Sequence, residues 1–299
     1  MCGIFGYVGS RQDAGKLVVE GLKNLEYRGY DSWGVAWKRG REFGVEKDTG
    51  KISAIDSDKF SDNCGLAVAH TRWATHGGVT KCNAHPHLSG DGSIAVVHNG
   101  IVENYQELRD ELKVRGHTFL SETDTEVVPH LIEEELKCTE DFAAAFRAVC
   151  KRLHGRYALL ALNTKSNILV AARTGSPLIV GVGKGKDRGY YIASDIPAFM
   201  DATRTVQYLD DGEMVVSDGR SIMFTDIETG MERPKREVEI TWIPEQAQKG
   251  EYEHFMMKEI MDQKESIARA VNQDETQIRT IAEAIRNARG TFLVGCGTA

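Results

Sequence analysis

The stretch CGIFGYVG, residues 2–9, decides how the rest of the chain is read. Ile4, Phe5, Tyr7 and Val8 interleave with Gly3, Gly6 and Gly9, which predicts a short buried strand over 2–8 that begins at a cysteine. Glycines clustered in this way let backbone crowd close to a ligand. Removal of Met1 would leave a thiol and a free α-amino group on one residue, Cys2. An α-amine titrates near pH ~8, against ~10.4 for a lysine side chain. It can therefore be neutral near physiological pH and take the proton of the adjacent thiol, joining nucleophile and base in one residue. The plainer alternative is a buried strand cysteine that packs as a small hydrophobe.

Working outward, the chain has 299 residues, of which 41% are hydrophobic and 27% charged, a composition that supports a real core. A formal charge of −7 and the absence of any basic stripe argue against a nucleic-acid partner. The six cysteines are scattered, with no CxxC pair, which suits a reducing cytoplasm. No apolar run is long enough to cross a bilayer. MCGIFGYVGS lacks the basic-then-apolar pattern of a signal peptide, so a lipid-anchored Cys2 is not expected.

Apolar spacing predicts helices over 13–25, over 105–112 closed by Gly116, near 127–136, and over 142–153 closed by Gly155. Strands are expected at 65–71 and 93–98, and then as a series from Tyr157 to about Phe224. Strands, then helices, then strands again argue for antiparallel sheets covered by helices, not a βαβ repeat. The charged, apolar-poor run over 226–251 carries Pro234 and Pro244 and reads as a connector. Helical periodicity follows over 255–271 and 278–288. A strand over 291–294 then opens into Gly295-Cys296-Gly297, the beginning of a phosphate-binding α/β unit. The expectation is a fragment ending just inside a second domain.

Four further segments carry candidate chemistry. His98-Asn99-Gly100 ends an apolar strand, where the Asn99 amide and the Gly100 N–H could hold an oxyanion; Asn-Gly is equally the commonest hairpin turn. Arg72 offers a bidentate fork for a carboxylate, and Asp124 a counter-charge for an ammonium. The alternative for the Asp124 segment is a helix start, with Thr123 and Glu126 as a capping box. Cys82, His85 and His87 cluster in CNAHPH, but zinc needs about four ligands and no second cluster is evident, so no metal is expected.

Taken together, CGIFGYVG, LEYRGYDS at 25–32, HTRWATHGG at 70–78, NAHPH at 83–87, HNGIVENY at 98–105 and SETDTEV at 121–127 resemble one family, the class II glutamine amidotransferases. KGEYEHFMMKEI at 249–260 and the terminal GCGTA are similar to the branch that converts fructose 6-phosphate to glucosamine 6-phosphate. The resemblance implies an α+β fold, the four-layer αββα sandwich of the N-terminal-nucleophile hydrolases. That fold would occupy residues 2–225, followed by a linker over 226–251 and a truncated α/β sugar isomerase domain over 252–299. It implies Cys2 as nucleophile, Asn99 and Gly100 as oxyanion donors, and Arg72, Trp73, Thr75, His76 and Asp124 as the glutamine-binding set. Arg28 supports the nucleophile, and Trp73 is a candidate gate to an ammonia channel.

No cofactor is implied. L-glutamine would be the substrate of this chain, with fructose 6-phosphate reached only through the missing C-terminal domain. A cytoplasmic homodimer is expected at full length, with no nucleic-acid or membrane partner. Other readings are the glutaminase domain of a different class II amidotransferase, or a glutamine sensor without turnover. Two positions depart from the family pattern: Trp33, where a small residue is usual, and Lys264 in Asp262-Gln263-Lys264.

Overall fold

The computed structural model describes residues 2–60, 63–241, 252 and 255–292. The chain divides into two units, Met1–Pro244 and Glu245–Ala299.

Two antiparallel sheets form the centre of the first unit. The eight-stranded sheet contains β1 (Gly3–Gly9), β2 (Ser32–Arg39), β3 (Glu42–Thr49), β4 (Leu66–Arg72), β9 (Ile179–Gly183), β10 (Gly189–Ala193), β11 (Thr205–Tyr208) and β14 (Val238–Glu239). Its order is β14-β11-β9-β10-β1-β4-β2-β3, so β1 lies inside the sheet. The six-stranded sheet contains β5 (His87–Leu88), β6 (Ile94–Val102), β7 (Gly155–Asn163), β8 (Leu169–Thr174), β12 (Glu213–Ser217) and β13 (Ile222–Asp226), ordered β13-β12-β8-β7-β6-β5.

Strand alternation builds three apolar layers. Successive side chains point to opposite faces, so each strand buried on both sides serves two cores. Ile4 and Val8 of β1 meet Leu160 and Leu162 of β7 between the sheets. Phe5 and Tyr7 point outward against Val18, Val19 and Leu22 of α1 (Ala14–Lys23). On the far side, Leu159 and Ala161 pack against α2 (Tyr105–Val114), α3 (Val127–Glu135) and α4 (Phe142–Cys150). Helix, sheet, sheet, helix is the four-layer order. Gly6 permits the close approach of the sheets, because a Cβ there would stand 2.6 Å from Leu160 Cδ2.

Several local expectations change. β6 runs on through Asn99 and Gly100 to Val102, paired with β7, so Asn-Gly is not a hairpin turn. The 226–251 stretch is partly built into the first unit: β14 pairs with β11, and Ile240 is buried against the outer core. The remainder of that stretch, from 242, lies outside the described residues. The Thr123–Glu126 capping box does not form. Instead the Glu126 carboxylate accepts hydrogen bonds from the Leu120 and Ser121 N–H groups. Trp33 is buried beside Phe60 in the helix-facing core, away from the inter-sheet layer.

In the second unit, α5 (Phe255–Val271) contains Lys264, and α6 (Glu275–Asn287) is capped by Asp274, which accepts from the Thr276 and Gln277 N–H groups. The expected strand over 291–294 and its glycine turn fall almost wholly outside the described residues.

Candidate active site

Register brings the site together. Gly3 pairs with Thr71, which sets Cys2 beside the end of β4, where Arg72 and Trp73 leave the sheet. A bond across the sheets joins β4 to β6: His70 Nε2 lies 2.9 Å from the His98 carbonyl and 3.0 Å from Asn99 Oδ1. The carbonyl can only accept, so Nε2 carries the proton. Oδ1 is then the carboxamide atom facing His70, and Asn99 Nδ2 is left to donate to the Cys2 carbonyl at 2.8 Å. Gly100 completes this end of β6 with φ +129°. A Cβ there would fall 1.9 Å from the Arg156 carbonyl, so only glycine fits.

A cavity of about 390 Å³ opens above these atoms. All nine residues proposed from the sequence line it: Cys2, Arg28, Arg72, Trp73, Thr75, His76, Asn99, Gly100 and Asp124. A larger groove of about 940 Å³ lies elsewhere, around Gln12, Lys38 and Asp218. The smaller one has the chemistry, since it holds a thiol flanked by hydrogen-bond donors.

Cys2 Sγ accepts the Trp73 N–H at 3.1 Å. Burial pushes the thiol up, opposed by that N–H and by Arg72. The thiol therefore does not ionise unaided and calls for an adjacent base. Arg28 Nε donates to the Cys2 carbonyl at 3.4 Å, and its Nη1 pairs with Asp195 at 2.8 Å.

Arg72 differs from a free fork. Nη1 donates to the Gly78 carbonyl at 3.0 Å, while Nη2 reaches the carbonyls of His76 and Gly77. Of its five N–H groups, the Nε–H and one Nη1–H make no hydrogen bond among the described residues. Arg72 thus shapes the loop that carries Thr75 and His76 and brings positive charge to the cavity. Asp124 is half committed: Oδ2 accepts the Val102 N–H at 2.7 Å, and Oδ1 makes no hydrogen bond among the described residues. Trp73 stays 46% exposed, edge-on to Tyr30 at 5.6 Å between centroids.

Sequence reasoning missed the floor of the site. His85 Nε2 and His98 Nδ1 meet Thr125 Oγ1 at 3.1 and 2.8 Å, and His87 Nε2 meets Thr123 Oγ1 at 3.0 Å. Burial lowers the pKa of all of these histidines and of His70, which falls to about 3. CNAHPH therefore supplies neutral imidazoles that brace the Asp124 segment. Asp31 was also missed; its Oδ2 accepts the Ala74 N–H at 2.9 Å and fixes the turn after Trp73. The available signal was the i, i+2 spacing of His70 and Arg72 on one strand.

The chain is similar to known proteins. A family model described as a glutamine amidotransferase domain matches residues 70–201. The chain is 46% identical to the glutamine–fructose-6-phosphate aminotransferase (isomerizing) of Pyrococcus horikoshii, over 100% of this chain and 50% of the relative. It is 42% identical to the protein of the same name from Thermus thermophilus, with the same two coverages. The chain spans about half the length of these curated relatives. Among solved structures, the glutamine phosphoribosylpyrophosphate amidotransferase of B. subtilis, complexed with ADP and GMP, aligns with TM-score 0.64 and 25% identity. It covers 76% of this chain and 50% of that one. A structure titled as the allosteric regulatory enzyme of purine biosynthesis aligns with TM-score 0.65 and 26% identity, covering 76% and 49%. The two-sheet sandwich is the fold of the N-terminal-nucleophile hydrolases.

Proposed function

We propose, for a chain that belongs to the class II glutamine amidotransferases, that it hydrolyses L-glutamine to glutamate and ammonia through a thioester on Cys2. The observation that carries this reading is the Cys2 thiol at the mouth of the 390 Å³ cavity, with Asn99 Nδ2 2.8 Å from the carbonyl of the same residue. After loss of Met1, the α-amine takes the thiol proton. Sulfur attacks the side-chain amide carbon of glutamine, and the oxyanion forms against Asn99 Nδ2 and the Gly100 N–H. The α-ammonium returns its proton to the leaving nitrogen as the C–N bond breaks, releasing ammonia. Water then adds to the thioester, giving glutamate and the free thiol.

Substrate recognition follows from the charges in the cavity. Arg72 faces the α-carboxylate with its remaining N–H groups, and Asp124 Oδ1 faces the α-ammonium. Thr75 and His76 complete the wall, and Arg28 holds the Cys2 backbone. Trp73, half exposed beside the cavity, would gate the passage of ammonia.

In the whole protein, the ammonia would convert D-fructose 6-phosphate to D-glucosamine 6-phosphate on a sugar isomerase domain that follows the first unit, Met1–Pro244. Similarity along all 299 residues to aminotransferases of that name supports this. A cytoplasmic homodimer is the proposed state of the full-length protein. Among the described residues, no helix is long and apolar enough to cross a membrane.

Glutamate release by purified Cys2→Ala tests the proposal. Activity should fall to the uncatalysed background while the far-ultraviolet spectrum stays that of the parent. Turnover equal to the parent would remove Cys2 from the chemistry.

A further inference from the structure

On the far side of the six-stranded sheet, two histidines and a carboxylate converge where the glutaminase chemistry has no use for them. His117 follows α2, while His130 and Glu133 sit one turn apart on α3. His117 Nδ1 and His130 Nδ1 are 3.0 Å apart, and Glu133 Oε2 is 3.6 Å from each. Ligands held ~2.0–2.1 Å from a tetrahedral zinc stand roughly 3.4 Å from one another, which is the size of this triangle. All three ligand atoms lie within 4.8 Å of one another.

Support behind the ligands is also present. His117 Nε2 bonds Glu134 Oε1 at 2.6 Å, the carboxylate–histidine pairing that leaves Nδ1 as a lone pair and raises its basicity. Glu133 is itself oriented, accepting the N–H groups of Gly90 at 2.9 Å and Asp91 at 3.1 Å. His130 packs edge-on to Phe119 and to His117. Among the described residues, its buried Nε2 has no hydrogen-bond partner.

We propose that His117 Nδ1, His130 Nδ1 and Glu133 Oε2 bind one zinc-class divalent cation. The His130 proton then resides on Nε2 in place of Nδ1, so binding releases no net proton. The three residues line a groove of about 880 Å³, which leaves a fourth position for water or a small anion. The ion would tie together the 89–92 turn, the segment around His117 and α3, whose approach carries Asp124 and Thr125. This departs from the expectation of a metal-free chain, which considered only CNAHPH.

Cobalt(II) titration of the chelator-treated protein tests the site, because cobalt reports its ligands. One equivalent should bind with the intense visible bands of a tetrahedral ion and without the near-ultraviolet band of a thiolate ligand. Zinc should displace the cobalt and raise the Tm. His130→Gln and Glu133→Gln should abolish stoichiometric binding, and Glu134→Gln should weaken it by roughly 10–100-fold. Glutaminase kcat in His130→Gln should match the parent. Less than stoichiometric binding, a thiolate band, or a spectrum unchanged in Glu133→Gln would overturn the proposal. If His130→Gln fails to fold, the parent spectrum and the Glu134→Gln affinity still decide it.

Discussion

His70 never touches the cavity, yet it fixes which end of the Asn99 carboxamide does. Its Nε2–H serves two acceptors, the His98 carbonyl and Asn99 Oδ1, and so turns Nδ2 toward the nucleophile residue. Without that donor, the amide can rotate and present an oxygen where the oxyanion forms. Removal of an oxyanion donor costs about 10²–10³ in kcat. His70→Phe, which keeps a ring but loses the donor, should cost about 10–100-fold in kcat with little change in KM. In an Asn99→Ala background it should cost almost nothing more, because residues acting as a unit are not additive. Steady-state glutamate release by the two single variants and the double variant measures this. Additive losses would mean that His70 acts elsewhere.

At the scale of elements, the loop 82–86 depends on one side chain. Lys47 of β3 reaches across, and its Nζ donates to the carbonyls of Cys82 at 3.3 Å, Ala84 at 2.6 Å and Pro86 at 3.1 Å. Gly34 of β2 admits the same loop, since a Cβ there would stand 2.0 Å from the His85 carbonyl. Lys47→Met keeps the stem and strands the three acceptors. At about 1–3 kcal/mol for an unsatisfied buried group, partly relieved by water, it should cost about 2–4 kcal/mol. Urea denaturation at neutral pH would show it as a lower midpoint with an unchanged slope. A loss under about 0.5 kcal/mol would mean that the loop is held by its histidines alone.

None of this was legible from spacing. The helices were, because α1, α2, α3 and α4 carry apolar positions at 3.6-residue intervals and Gly116 and Gly155 stop the chain at positive φ. The strands β4 and β6 were legible as apolar runs. What spacing cannot convey is pairing between strands far apart in sequence, such as β1 with β10 or β11 with β14. For that reason Asn99-Gly100 resembled a turn and 226–251 a connector. Of the nine cavity residues, Cys2, Arg72, Asn99, Gly100 and Asp124 were reached from side-chain chemistry, and Arg28, Trp73, Thr75 and His76 only through resemblance to a family. CNAHPH was ambiguous because a metal ligand and a neutral core histidine look alike until the partner of each nitrogen is known.

The whole molecule should carry the signature of its buried imidazoles in its acid stability. Burial disfavours protonation of His70, His85, His87 and His98; Arg72 adds to it at the first three and Lys47 at His87, while Asp124 opposes it at His98. Their folded-state values lie below the ~6.5 of an unfolded chain, so the unfolded state takes up protons first as pH falls. Stability from these groups is complete above pH ~6.5 and drains away below it, down to the folded values, about 3 for His70. Each contributes a slope of up to ~1.4 kcal/mol per pH unit, so His70, His85 and His87 together approach about 4 kcal/mol per unit near pH 5, to which His98 adds in the same direction. Paired carboxylates act later. Glu134, lowered to about 2 chiefly by its Lys137 partner, starts to lose its share only below ~4.3, the unfolded value. The window between pH 6.5 and 4.5 therefore isolates the histidines. Urea midpoints in the presence of a chelator should fall steeply from pH 7 to pH 5. His87→Gln, with one proton fewer to take up, should flatten that slope by about 1.4 kcal/mol per unit near pH 5. A parent whose unfolding free energy is the same at pH 7 and pH 5 would show that these histidines are already charged in the fold. The neutral floor beneath Asn99 and Asp124 would then be wrong.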